Sequence, residues 1–504
     1  MANKRSQLST GVILSYIAQG FQILVTLFYT PVMLRLLGQS EYGLYQLVFS
    51  VVSYLSLFTF GFSSAYVKFY AQSLTEKDPE SALKKVNGMF LTVFGMLGML
   101  VLFLGIILVV KTDAVLGKKL TSDELVTCRI LMAIMVANCV TNFPTIVFQN
   151  FIIANEKFVY LQVLNLVSIV INPCLTFPLL LLGFKSISLA SVLLVISVLK
   201  LAFFAFYSIG KLKMRFEFRN MKLVLLKDVS KFSFFIFIES IVSTINISLD
   251  RFLLGRMVGS VSVAIYAVGG QINTLYTSLS TSISSVFTPR INKMVASGNQ
   301  GAALSELFIR VGKIQFAVLY LILLGFTVFG KRFIGLWAGA DYKQSFYVAM
   351  VLIWPNTINL IQNVGIEIQR AMGLQKYRSI MYLIIAIMNI IISCFFIGWW
   401  GETGAALGTA IAWIIGSGIL MNWFYAKRVG LNIKRFWQEI FSLAKSEWLL
   451  LVIGVVMNKY IEKCHIFLYF AFIGLFAILY AVQFYLFGLR KEEKEYIRNT
   501  VLKK

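Results

Sequence analysis

The chain has few charged residues, a single histidine and few cysteines. Only 13% of its 504 residues are Asp, Glu, Lys or Arg, compared with about 25% in soluble domains. The one histidine is His465, and the five cysteines are far apart, with no spacing typical of metal ligands. We therefore predict neither a metal site nor a disulfide, and we expect no cofactor.

Enzyme motifs are also absent from the sequence. It contains no G-x-x-x-x-G-K-[ST] phosphate loop, no H-E-x-x-H zinc motif and no G-x-S-x-G nucleophile motif. No segment between the apolar runs approaches the ~50 residues that a soluble domain needs. We therefore predict that the protein is not an enzyme, that ATP does not drive it directly, and that its function lies within the apolar part of the chain.

Long apolar runs make up most of the sequence, of which 59% is hydrophobic. A helix that spans a bilayer needs about 20 mostly apolar residues. The runs predict an all-α, polytopic integral membrane protein with about 14 transmembrane helices. The predicted spans are 10–34, 43–67, 88–110, 126–147, 160–183, 187–209, 232–254, 262–288, 307–330, 344–366, 379–398, 403–425, 446–458 and 466–487. The run at 446–458 is the shortest and the weakest of these.

The formal net charge of +24 comes from Lys and Arg that gather in loops on alternate sides of the spans. The positive-inside rule then places both termini in the cytoplasm, in a multi-pass protein of the cell inner (cytoplasmic) membrane. Lys211, Lys213 and Arg215 are expected to contact membrane lipids, because basic residues next to a span bind anionic headgroups. We predict no nucleic-acid partner, since no basic soluble domain exists to bind one.

The turn after the first span recurs after the seventh, and residues 156–158 resemble residues 375–377 at a nearby offset. The repeated residues are Arg35, Gly38 and Tyr45 in the first copy and Arg256, Gly259 and Tyr266 in the second. An even number of spans separates the copies, so both enter the membrane from the same side. Repeats related in this way are typical of transporters that alternate access to a central cavity.

The repeat predicts two six-helix bundles plus a C-terminal helix pair. The first bundle covers residues 1–209, and a cytoplasmic linker follows at 210–231. The second bundle covers 232–425. Residues 426–504 contain an amphipathic linker, two extra transmembrane helices and a basic tail.

Ionisable residues inside a membrane are costly and are therefore candidates for function. The seventh span carries three of them, Glu239, Asp250 and Arg251. Asp250 and Arg251 are adjacent and cannot face each other on one helix, so each needs a partner elsewhere. A position near the lipid headgroups is an equally good interpretation of these two charges, whereas Glu239 favours a helix that lines a cavity.

Other polar residues complete the candidate site. The candidates for contact with a cavity or a substrate are Lys68, Lys200, Arg251, Arg290, Gln19, Gln22, Gln271 and Asn273. The candidates for coupling or gating are Glu239, Asp250 and Glu367. Several cations around a cleft of low dielectric constant would attract an anionic group such as a diphosphate. The alternatives are that the lysines extend to the membrane surface and that the amides only join helices.

The motifs resemble those of a known family. Gly38-x-x-x-x-Gly43-x-Tyr45, the Ile-Ala-Asn-Glu-Lys-Phe stretch at 153–158 and the segment from Asp250 to Tyr266 are similar to those of polysaccharide flippases. These belong to the multidrug, oligosaccharidyl-lipid and polysaccharide exporter superfamily. The resemblance implies transport of an undecaprenyl-diphosphate-linked oligosaccharide to the outer leaflet for O-antigen, capsule or exopolysaccharide synthesis. It also implies a polysaccharide polymerase and export machinery as partners.

Related functions remain as alternatives. A lipid II flippase is expected to carry arginines in its first span, where this chain has Gln19 and Gln22. A cation-coupled multidrug antiporter often has an acidic residue in an early span, and the first six predicted spans contain none. A membrane-embedded polysaccharide polymerase is expected to have a large outer loop, whereas the predicted outer loops here are short.

The charges of the seventh span generate a first prediction. We expect Glu239→Gln and Asp250→Asn each to reduce transport of the cargo while the protein still folds, because the amide keeps the size of the side chain and removes its charge. Transport should be measured in liposomes, and folding by size-exclusion chromatography in detergent. Unchanged transport in both variants would remove both carboxylates from the mechanism.

Overall fold

The structure is a computed structural model that describes residues 2–59, 62–219, 237–238, 240–242, 244–245, 248–298, 301–461, 464–488 and 494. Every long regular element in these residues is a helix, which confirms the all-α prediction. Glu239 lies outside the described residues. The first eight helices are α1 (Ala2–Leu55), α2 (Phe62–Ser73), α3 (Pro79–Val110), α4 (Thr112–Leu116), α5 (Ser122–Ala154), α6 (Phe158–Leu181), α7 (Lys185–Phe206) and α8 (248–257).

Nine further helices follow in the described part of the chain. They are α9 (Ser260–Ser285), α10 (Thr288–Ala296), α11 (Ala302–Trp337), α12 (Ser345–Leu360), α13 (Asn363–Ala371), α14 (Gln375–Trp413), α15 (Met421–Phe424), α16 (Ile433–Ile461) and α17 (Ile466–Gln483). Eight of the described helical stretches are long and apolar enough to cross a membrane. The prediction of a polytopic membrane protein is therefore confirmed.

Two of these stretches each contain two helices joined at a break. In α1 the break is at Gly38, whose φ of 76° is a left-handed conformation that glycine adopts without steric cost. In α14 it lies at Trp400 and Gly401, and Gly401 has a φ of 52°. The first and second predicted spans, and the eleventh and twelfth, are thus separate helical segments within continuous stretches.

The thirteenth predicted span lies on a helix that begins earlier than the apolar run. Helix α16 starts at Ile433, and its first turns are joined to α11 by ion pairs. Lys313 Nζ lies 3.7 Å from Glu439 Oε2, and Arg435 pairs with Glu306. Helix α16 includes residues 446–458, which confirms that this segment is helical. That this segment crosses the membrane stays a prediction.

The chain forms two compact units, of which the first comprises Met1–Ala267 and Ile397–Glu402. At one end of this unit, connecting segments that are distant in the sequence contact each other. Arg256 Nη1 donates to the Val115 carbonyl at 3.2 Å, and Lys185 Nζ lies 3.4 Å from Glu41 Oε1. If consecutive spans cross the membrane in opposite directions, every second turn lies on the same side. The two contacts join turns of that kind and so agree with this topology.

An extended strap at residues 212–218 lies against the start of α3. Asn87 Nδ2 donates to the Arg215 carbonyl at 3.1 Å, and the Glu217 N–H donates to the Lys84 carbonyl at 3.0 Å. A Cβ atom on Gly88 would be 2.1 Å from the Glu217 carbonyl oxygen. The absence of a side chain at position 88 therefore allows the strap to reach the helix.

The second unit comprises Val268–Phe396 and Thr403–Lys504. Its core contains a network of neutral polar side chains around Ser280. The Ser280 hydroxyl accepts hydrogen bonds from Gln315 Nε2 at 3.0 Å and Asn363 Nδ2 at 2.9 Å, and donates to the Leu360 carbonyl at 2.9 Å. Hydrogen bonds of this kind join helices where water is absent, at about 0.6–2 kcal/mol each.

The strap yields a prediction with a matched control in the same helix. Gly88→Ala should destabilise the protein by roughly 1–3 kcal/mol, because the new methyl group overlaps the Glu217 carbonyl. Gly95→Ala should be neutral or stabilising, since nothing lies within 4 Å of a Cβ there and alanine is the better helix former. Thermal unfolding in detergent measures both variants. Equal melting temperatures would contradict the packing of the strap.

Candidate functional site

Arg251 is the centre of a chain of hydrogen bonds in the first unit. Its Nη1 donates to Gln46 Oε1 at 3.0 Å, and Gln46 Nε2 donates to the Tyr42 hydroxyl at 2.8 Å. Tyr42 and Gln46 are four residues apart, so they share one face of the second segment of α1. The guanidinium on α8 is therefore oriented by two side chains of a neighbouring helix.

One donor of Arg251 is not used by these contacts. Its Nε atom is buried and has no hydrogen-bond partner among the described residues. The same holds for the hydroxyl of Tyr54, on α1. A buried polar group without a partner is costly, typically about 1–3 kcal/mol. Arg251 Nε and the Tyr54 hydroxyl are thus buried polar groups of the first unit without a partner in the part of the chain that the structure describes.

Asp250 points away from Arg251 and has its own partner. The Tyr266 hydroxyl on α9 donates to Asp250 Oδ2 at 2.5 Å, and only 1% of the Asp250 surface is exposed. The prediction that the two adjacent charges have separate partners on other helices is confirmed. Asp250 is buried within the protein, and its depth in the membrane stays a prediction.

A hydroxyl pair extends the contact between α1 and α8. Ser53 Oγ donates to Ser248 Oγ at 2.8 Å. Ser248, Asp250 and Arg251 thus contact side chains from two other helices within one turn of α8. An apolar helix surface could not make these contacts, and the partners in these three hydrogen bonds are neutral.

The glutamines predicted in the first span lie apart from these contacts. Gln19 and Gln22 are exposed on the first segment of α1, and the Gln22 carbonyl accepts a hydrogen bond from Thr26 Oγ1 at 2.8 Å. Their exposed side chains agree with contact to a cavity or to solvent. A role in substrate contact stays a prediction for both.

The predicted lysines lie on separate helices. Lys68 is exposed on α2, with its Nζ 5.9 Å from the centre of the Phe69 ring. Lys200 is half-buried on α7, where its Nζ donates to Asn165 Oδ1 at 3.4 Å. The neutral partner of Lys200 leaves its charge uncompensated by that contact.

The candidates of the second unit have partners of their own. Asn273 Oδ1 accepts a hydrogen bond from Asn356 Nδ2 at 2.9 Å, so it joins α9 to α12. Glu367 Oε1 lies 2.9 Å from Arg370 Nη1 on the same helix. Arg290 is exposed on α10, and Gln271 is half-buried on α9. Asn273 and Glu367 thus have structural contacts that their sequence positions did not reveal.

Residues that the sequence analysis did not select also belong to the site. Gln46 and Tyr42 orient Arg251, yet each is a polar residue in an ordinary helical position. Tyr266 was noted only as part of the repeat, and its contact with Asp250 was not predicted. Glu124 was missed because it begins a helix, where an acidic residue has a local role as part of a capping box with Thr121. Its contacts with two other segments become visible only in the folded chain.

The apolar helices and the charged side chains held between them define a polytopic membrane protein, and comparison with known proteins identifies the family. Residues 8–295, more than half of the chain, match the family described as polysaccharide biosynthesis protein. The chain belongs to this family. It is 20% identical to a putative O-antigen transporter from Shigella flexneri over 407 residues, which are 78% of this chain and 91% of that protein.

Solved structures show the same fold. A lipid II flippase, MurJ in an inward closed conformation, has a TM-score of 0.76 at 19% identity, with 94% of this chain and 98% of that chain covered. An inward-facing multidrug resistance MATE family transporter of the MOP superfamily has a TM-score of 0.64 at 15% identity, with 84% and 99% covered. The predicted resemblance to the exporter superfamily is confirmed.

The carboxylate of Asp250 yields a prediction about stability. Tyr266→Phe should destabilise the protein by roughly 1–3 kcal/mol, because a buried carboxylate oxygen loses its hydroxyl donor. Tyr347→Phe is the control, since that tyrosine is half exposed. Thermal unfolding in detergent measures both variants. A Tyr266→Phe variant as stable as the control would mean that the short hydrogen bond contributes nothing.

Proposed function

We propose that this protein moves an undecaprenyl-diphosphate-linked oligosaccharide from the cytoplasmic to the outer leaflet of the cell inner membrane. Transport proceeds by alternating access, with both termini in the cytoplasm, and supplies the synthesis of O-antigen, capsule or exopolysaccharide. Membership of the polysaccharide biosynthesis protein family and similarity to a putative O-antigen transporter support this function. A polysaccharide polymerase and export machinery would receive the cargo.

The half-buried guanidinium of Arg251, with its unpaired Nε, is the observation that carries the proposal. Gln46 fixes one end of the group, while the Nε donor has no partner among the described residues. A planar guanidinium with free donors binds phosphate oxygens strongly and in a defined orientation. We assign the diphosphate of the cargo to this position.

Neutral polar groups elsewhere on α1 suit the sugar part of the cargo. The Tyr54 hydroxyl is buried and without a partner in the described part of the chain, and Gln19 and Gln22 are exposed on the preceding segment. Hydroxyl and amide groups exchange hydrogen bonds with sugar hydroxyls without a charge. We assign contacts with the oligosaccharide to these residues. We assign coupling or gating to Asp250 and Glu367.

Two other cargos fit the same fold, because both a lipid II flippase and a multidrug transporter are similar to this chain. The first span distinguishes them by its chemistry. It has glutamines at positions 19 and 22, whereas the family resemblance implies arginines there for lipid II. The first six predicted spans contain no acidic residue of the kind that couples a cation in many multidrug antiporters.

A transport assay tests the proposal. Purified protein in liposomes is given a lipid-diphosphate oligosaccharide, lipid II and an organic cation dye, separately and in competition. We expect movement of the oligosaccharide lipid between leaflets. Movement of the dye alone would favour a multidrug antiporter, and preferential movement of lipid II would favour a lipid II flippase.

Variants of Arg251 give a sharper prediction. Arg251→Gln should lower transport of the lipid-diphosphate oligosaccharide at least roughly tenfold, since a hydrogen bond to a charged group contributes about 1.5–3 kcal/mol. Arg251→Lys should retain part of the activity, because the charge remains but the planar donors are lost.

Arg129→Gln is the matched control for these variants. Arg129 lies in a surface ion pair with Asp113, at 2.8 Å, and such a pair contributes little. Its loss should leave transport unchanged. Equal activity of the Arg251→Gln and Arg129→Gln variants would contradict the assignment of the diphosphate to Arg251.

A further inference from the structure

The two copies of the repeated turn contact each other directly. Ser40, in the first turn, and Ser260, in the second, have their hydroxyl oxygens 3.3 Å apart. Gly43 brings the backbones together as well, since a Cβ atom there would lie 1.9 Å from the Ser260 carbonyl oxygen. The sequence repeat therefore corresponds to a contact between its own two copies in the first unit.

A single carboxylate joins both turns. Glu124 Oε1 accepts hydrogen bonds from the Ser40 hydroxyl at 2.7 Å and from the Ser260 hydroxyl at 2.6 Å. The other oxygen, Oε2, accepts from the Thr121 N–H at 3.0 Å. The capping of α5 thus accounts for Oε2 only, and the two contacts of Oε1 bring together segments that are distant in the sequence.

The chemistry of this contact is strong yet reversible. Hydrogen bonds from hydroxyls to a carboxylate are short and stronger than those between neutral groups. If the turns move apart, Glu124 keeps its capping hydrogen bond and its partial exposure to solvent. Its carboxylate is therefore not left buried without hydrogen-bond partners. The serines can likewise turn to other acceptors. The cluster therefore suits a contact that forms and breaks repeatedly.

We propose that Glu124 is a positioning residue that holds the two repeated turns together in this conformation and releases them once in each transport cycle. The proposal rests on the proposed function, because alternating access between repeats moves equivalent turns relative to each other. In the predicted topology both turns and the start of α5 lie on the outer side. Glu124 would then keep that side closed while cargo enters from the cytoplasm.

Cross-linking tests whether the turns must separate. Ser40→Cys and Ser260→Cys are combined in protein whose exposed Cys174 and Cys394 are replaced by serine, and the pair is joined by a short bifunctional thiol reagent with a cleavable link. We expect cross-linking to stop transport and cleavage of the link to restore it. Full transport by the cross-linked protein would overturn the proposal.

A second pair of cysteines controls for the effect of cross-linking itself. Glu41 and Ser186 are joined by a hydrogen bond of 2.5 Å, and both lie in the first predicted bundle. Glu41→Cys with Ser186→Cys should therefore cross-link without loss of transport. Equal inhibition by the two pairs would overturn the specific role of the repeated turns.

Thiol labelling gives a readout that does not depend on any cargo. Ser260 is buried, so a cysteine at this position should react slowly with a membrane-impermeant maleimide. Adding Glu124→Gln should raise the labelling rate roughly tenfold, since the Ser40 hydroxyl and the introduced thiol lose a charged acceptor. Asp113→Asn, at a surface ion pair, is the matched control and should not change it.

Labelling separates failure of this inference from failure of the proposed function. Equal labelling rates in the Glu124→Gln and Asp113→Asn backgrounds would overturn the role of Glu124, whichever cargo is transported. Faster labelling in the Glu124→Gln background alone would support it, even if the protein moves a cargo other than the lipid-linked oligosaccharide.

Discussion

The need to pair polar groups within an apolar helical bundle governs the first unit. Helix α8 carries an acid and a base at adjacent positions, and adjacent residues on a helix cannot pair with each other. Asp250 therefore reaches Tyr266 on α9, and Arg251 reaches Gln46 on α1. Three helices are joined by two charges, and neither charge is neutralised by an opposite charge in these contacts. The proposed role of Arg251 in binding an anionic ligand depends on that arrangement.

Much of the fold was predictable because the membrane imposes one length and one polarity on every span. The described parts of the predicted spans are mainly helical, although turns interrupt the eighth span at 286–287 and the tenth at 361–362. Gly38 marks the break between the first two spans. Helix α16 was predicted too short, since hydropathy detects only its apolar part. Its first turns are polar and are held by ion pairs such as Lys313 with Glu439, which a hydropathy pattern cannot register.

The candidate site was predictable in part. The cost of burying charge singled out Asp250 and Arg251 correctly as residues with partners on other helices. Their partners could not be predicted, because nothing in the sequence links Gln46 to Arg251, and the repeat that marks Tyr266 does not reveal which side chain it contacts. Two residues were misjudged from the sequence in different ways. Asn273 was predicted to contact a cavity, but it joins two helices. Glu124 was not selected, because its local capping role concealed its contacts with two distant turns.

The fold alone does not select the cargo, since a lipid II flippase and a multidrug transporter are both similar to this chain. The central claim is that a guanidinium in the first unit binds the diphosphate, which separates lipid-diphosphate cargos from organic cations. The most direct test compares transport, by the unmodified protein in liposomes, of lipid-linked oligosaccharides that differ only in a diphosphate, monophosphate or uncharged linkage. We expect the diphosphate cargo to move fastest and the uncharged one not to move. Equal rates for the three linkages would contradict the account.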